Sequence, residues 1–247
     1  MIMALTPHPR VTIDGSSLGS PQSNQYELEV NGTFNTMQLN RVGALLVNEL
    51  NRNLRIQPYS GTGLNATSTP TNRGAAEVSG RRSYRCDNAL PRTDAAGNPI
   101  QGTGGGSDSV IAFTPAQWLT SGIADRQKKT ISAGWRRDEI LFHEMVHSVR
   151  QMIGVMNCST GAPGFDTKAE VWSIMTTNIY SSAWNRPLRR DHHGSTTMTA
   201  DEVSSYFQRF EAMISFMCQD LPQFTRAVSR IDYIPFNPFR EYYRRHP

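Results

Sequence analysis

The clearest periodicity in the chain runs over residues 135–153. There Ile140, Leu141, Met145, Val149 and Ile153 recur at helical spacing and define one apolar face. Asp138 and Glu139 stand near the start of this stretch, Arg150 near its end and Gly154 just beyond, which suits the helix dipole and supplies a C-terminal stop. Helices are also predicted over 37–51, with Leu39, Val42, Leu45, Leu46 and Leu50 on the apolar side, and over 167–183 and 221–229. Thr199 and Glu202 form a capping-box pair opening a helix to about residue 218, with Val203, Phe207, Phe210, Met213, Ile214 and Met217 at core spacing. Strands are predicted at 10–13, 26–30, 54–58 and 109–114, with Asn31 and Gly32 as a turn. The tail, 231–247, is aromatic and contains prolines, and is expected to pack back on the body.

Polar stretches complete the outline. Residues 59–106 are dominated by Gly, Ser, Thr, Asn and Pro, too long for an ordinary connection, and such loops are often functional. The glycines of 102–106 invite a phosphate-loop reading, but no Gly-Lys-Ser/Thr follows, so they read as a flexible turn into the strand at 109–114. Residues 1–25, rich in Pro, Ser and Gly, read as a leader or linker, leaving one domain at 26–247.

Composition narrows the functional classes. With 247 residues and 38% apolar content the chain can build one sizeable core. The net charge of +4 comes from scattered Lys and Arg. Its pairs Arg81-Arg82, Arg136-Arg137, Arg189-Arg190 and Arg244-Arg245 read as solvated faces, so no nucleic-acid partner is expected. No apolar run is long enough to span a membrane. Residues 1–10 lack the charged and apolar regions of a Sec signal. Cys86, Cys158 and Cys218 lack metal-binding spacing and fit synthesis in a reducing cytosol, with one disulfide forming if the chain moves somewhere oxidising.

The candidate chemistry lies in the helix already outlined. His143-Glu144-Met145-Val146-His147 is an HExxH motif, and residues four apart on a helix lie roughly 6 Å apart along one face, so both imidazoles can reach one metal. Zinc held by two histidines and a third protein ligand keeps a position open for water and acidifies it. Glu144 then stands where it can take the proton. The metzincin extension requires Gly at 150 and His at 153, where this chain has Arg150 and Ile153. Glu170, on the next predicted helix, is therefore the first choice for the third ligand, as in thermolysin-like sites. Two alternatives stay open: Glu170 caps its own helix with Thr167, or the ligand is one of Asp166, Asp191, His192 and His193, with Asp191 the best of these. The adjacent histidines can instead donate to a developing oxyanion, and His193 is assigned that catalytic role beside Glu144.

Beyond HExxH, the phrases GGGSDSVIAFTP at 104–115, NIYSS at 178–182 and RPLRRDHHG at 186–194 accompany HEMVH at 143–147. Together they resemble the metallopeptidase extension at the C-terminus of type VI secretion VgrG spike proteins and, more distantly, NleD-like effector proteases. The resemblance covers about residues 26–247. It implies zinc on His143 and His147 with Glu144 as base, and it matches Glu170 to an acidic position opening the helix after the motif. It also implies a toxin carried by a spike without a Sec signal into the target-cell periplasm or host cytosol, with a protein or peptide substrate there and an immunity protein as a further partner. Residues 7–23 would be the linker to the missing spike. The expected fold is an α+β, zincin-like domain. A small sheet containing 54–58 and 109–114 packs on the motif helix, and 109–114 holds an extended substrate. Two rivals are a binding module with structural zinc and a zinc amidase acting on cell-wall peptides.

Overall fold

The computed structural model describes residues 8–62, 65–118, 133–192 and 196–247 and shows an α+β fold. Four strands, β1 (Val11–Ile13), β2 (Leu54–Gln57), β3 (Thr67–Pro70) and β4 (Ser109–Ala112), form one sheet in the order β1-β2-β4-β3. The first three in that order run parallel, with Leu54 opposite Ser109 and Ile56 opposite Ile111, and β3 runs antiparallel along the edge of β4. Leu54, Ile56 and Ile111 are buried, so the alternation in β2 and β4 turns one face of the sheet to the core. β1 and the start of the first helix both fall within residues 1–25. The part of this segment that is described is therefore built into the sheet and helices rather than standing apart as a linker.

Among the described residues eight α-helices accompany the sheet: α1 (Gln22–Leu39), α2 (Arg41–Asn48), α3 (Arg73–Ala76), α4 (Arg137–Met152), α5 (Lys168–Ala183), α6 (Ala200–Asp220), α7 (Pro222–Ser229) and α8 (Pro238–Arg245). The strand expected at 26–30 and the turn at Asn31 and Gly32 are instead parts of α1. Tyr26, Val30, Phe34 and Met37 are buried at near four-residue intervals, and this longer stripe outweighs the β-like look of the short window. The helix expected from 37 breaks at Asn40, whose Oδ1 accepts from Val42 N at 2.9 Å and whose Nδ2 donates to the Tyr180 carbonyl at 3.1 Å. Asn40 thus caps α2 and pins the corner to α5. The tail packs back as expected, and does so as α8, with Phe239 buried.

The long polar stretch contains β3 and α3. A disulfide between Cys86 and Cys158 ties it to the segment after α4. Its glycines serve close packing: a Cβ at Gly106, where φ is +74°, would lie 2.1 Å from the Met152 carbonyl oxygen at the end of α4. Ser107 N donates to the Gln151 carbonyl at 3.1 Å beside it. Behind these contacts Ser109 Oγ lies within hydrogen-bond distance of both Ser148 Oγ and Gln151 Oε1, joining β4 to α4. Among the described residues no helix is long and apolar enough to cross a membrane.

Candidate metal centre

The motif helix is held from both ends. At its start Arg136 N donates to the Glu139 carboxylate at 3.2 Å. Asp138 and Glu139 are buried against Arg186, at 2.6 and 3.6 Å, with Tyr180 and Ser181 of α5 each donating to one of the carboxylates at 2.7 Å. At its end Arg150, read from the sequence as a dipole partner, is buried. It donates to Asp220 at 2.9 Å and the Val155 carbonyl at 3.0 Å and lies over the Trp172 ring at 3.9 Å. These ties fix α4 against α5 and α6, and through them fix which way its histidines point.

His143 and His147 turn their Nε2 atoms toward one another at 3.2 Å, with the rings at 74°. Glu170, in the first turn of α5, places Oε2 3.2 Å from His143 Nε2 and Oε1 3.3 Å from His147 Nε2. One ligand atom from each of the three residues falls within 4.8 Å of the others, so the group can hold a metal ion. Thr167 caps α5, its Oγ1 accepting from Glu170 N at 3.4 Å, while the Glu170 side chain faces the histidines. Glu170 Oε2 is buried with no hydrogen-bond partner of good geometry among the described residues, as expected of a carboxylate oxygen shaped to meet a cation. Two imidazoles and a carboxylate leaving one side to a cleft fit the donor set of an open, four-coordinate zinc site.

The electrostatics agree with this. Without a metal, burial pushes Glu144 up to about 7 and pulls His143 down to about 4. Burial also pulls on His147, but the Glu170 and Glu144 carboxylates outweigh it and raise its pKa. Burial would raise Glu170, yet His147 and His143 hold it well below the usual carboxylate range. A carboxyl group with a pKa near neutrality has the acidity that suits a general base.

The other sequence candidates separate. His193 lies outside the described residues. His192 is at the site, Nε2 lying 3.1 Å from Glu170 Oε2 and Nδ1 3.0 Å from Asp166 Oδ2. Its ring is nearly parallel to that of His143. Asp191 is not in the ligand group, and its carboxylate accepts from Thr196 at 3.3 Å. All three ligands and Glu144 line a cleft of about 660 Å³ that also receives β3, Trp118, Trp135 and Arg189. The sequence reading missed Arg189 by treating Arg189-Arg190 as a solvated pair. Only Arg190 behaves that way, pairing with Glu202 at 2.6 Å, whereas Arg189 turns into the cleft. Trp118 and Trp135, edge to face at 6.2 Å, carried no sequence signal for the site. Against family models, curated proteins and solved structures, the chain finds no match, so the functional reading rests on these residues.

Proposed function

We propose that the chain is a zinc-dependent endopeptidase that acts as a secreted effector toxin. The observation that carries the catalytic part is the convergence of His143, His147 and Glu170 beside the buried carboxyl of Glu144 in an accessible cleft. Zinc, when bound there, supplies a Lewis acid that polarises a substrate carbonyl and acidifies water. Glu144 takes the proton from the water attacking the peptide carbonyl and returns it to the leaving amine. The substrate strand cannot pair with β4, as the sequence suggested, because β2 and β3 occupy both its edges. β3 takes over that role: it has one strand partner among the described residues, and Thr67, Ser68, Thr69 and Pro70 line the cleft. An extended peptide added along β3 would pass the metal ligands with its carbonyls in reach.

Delivery by a secretion spike, with an immunity partner in the producing cell, is supported by the sequence resemblance alone. Of the two target compartments, the Cys86–Cys158 bond favours the oxidising periplasm. The test measures zinc by elemental analysis in protein purified without a metal-affinity tag, and toxicity and protein cleavage in target cells by terminal-label proteomics. Wild type is expected to carry one zinc and Glu144→Ala to retain it while losing cleavage by about 10²–10⁴-fold. A chain without zinc, or a Glu144→Ala variant as toxic as wild type, overturns the reading.

A further inference from the structure

Arg189 is a cleft cation with no assigned partner. It has no carboxylate within ion-pair distance among the described residues, whereas Arg73, the other arginine lining the cleft, pairs with Glu77 at 3.2 Å. Its Nη2 donates to the His192 carbonyl, and its Nε is buried without a hydrogen-bond partner. Leaving a guanidinium nitrogen unsatisfied is costly, and beside a cleft a bound anion would offset that cost. The surroundings hold it in place. Asn178, two turns beyond Glu170 on α5, clamps the backbone of Arg189 in both directions, donating to its carbonyl at 2.8 Å and accepting from its N–H at 2.7 Å. Gly134, at φ +75°, leaves room for the side chain, since a Cβ there would lie 2.9 Å from Arg189 Cδ.

From this geometry we infer that Arg189 is the anion-binding group of the cleft, holding the oxygen that becomes negative when water adds to the substrate carbonyl. In that step a C–O bond forms, the carbonyl π pair moves onto its oxygen and the water proton passes to Glu144, leaving one full negative charge to be met. A fixed guanidinium with free N–H groups meets such a charge better than water does, because it needs no reorientation. Burial lowers the pKa of Arg189, and the carboxylates of Glu170, Asp191, Glu139 and Glu144 oppose that pull, so its charge shares the field of the metal centre.

This inference rests on the metal-site reading above, and its test separates the two. The full chain is loaded with cobalt(II), and its visible spectrum is titrated with inorganic phosphate, a tetrahedral oxyanion, at neutral pH without chloride. Wild type is expected to take up one cobalt and respond to phosphate. Arg189→Gln should bind cobalt equally well and phosphate about tenfold or more weakly, with Arg189→Lys in between because it keeps the charge and loses the fork. Failure of wild type to bind cobalt overturns the metal reading. Cobalt bound with no phosphate response, or with equal phosphate affinity in all three proteins, overturns the role of Arg189. Weaker cobalt binding in Arg189→Gln with phosphate affinity unchanged makes Arg189 only a support for Glu170, and overturns it as well.

Discussion

Glu144 holds its carboxyl where water solvates it poorly, and that position has a thermodynamic cost before any metal arrives. Burial raises its pKa to about 7 from an ordinary 4.5, so between those values the folded, metal-free chain keeps a proton that the unfolded chain has released. Its contribution to stability is therefore greatest below 4.5 and falls as the pH rises toward 7. Metal-free Glu144→Gln is expected to melt higher than metal-free wild type above neutrality, by roughly 1–3 kcal/mol of stability, with the gap closing at low pH. Thermal melts of the two apo-proteins across pH check this, and a gap that widens on acidification contradicts it. His143, Glu144 and His147 were legible in the sequence because helix geometry alone puts them on one face. Glu170 was legible as a choice between ligand and cap. His192 and Arg189 were not resolved, because their positions depend on where a loop folds back, held by Asn178 and by the His192 N–H donating to the Gly164 carbonyl at 2.9 Å.

At the scale of elements, α4 to α7 follow their sequence patterns closely: α4 and α6 carry long apolar stripes, α5 and α6 open on a capping Thr, and α7 opens on Pro222. The failures occur where the window is short. Residues 26–30 look like a strand in isolation, and β3, made of Thr67, Ser68, Thr69 and Pro70, has no apolar alternation to reveal it. α4 itself depends on a buried charge that sequence reasoning took only as a partner of the helix dipole. Arg150→Ala should cost roughly 3 kcal/mol, since it strips Asp220 of its partner and leaves a gap over Trp172. Arg150→Met, which keeps much of the packing, should cost less. Urea unfolding of the proteins in the same metal state measures both, and an Arg150→Ala variant as stable as wild type would place the stability of α4 elsewhere.

For the whole molecule, the sheet supplies one wall of the cleft and α4 and α5 the floor, while the Cys86–Cys158 bond stitches the polar stretch to the far wall. Composition made that pairing possible but could not select it from three cysteines. The bond joins cysteines 72 positions apart and closes a ring, for which loop entropy predicts roughly 4 kcal/mol of stabilisation. The double variant Cys86→Ser, Cys158→Ser should lose about that much in denaturant, and wild type under reductant should match it. The same ring encloses β4 and the whole of α4, with His143, Glu144 and His147 inside it and Glu170 beyond its closing cysteine. A single backbone cut between residues 86 and 158 therefore yields two polypeptides that remain one covalent molecule. Such a nicked protein should run as one band on a gel without reductant and as two with it, and should keep its metal ligands together until the thiols are freed.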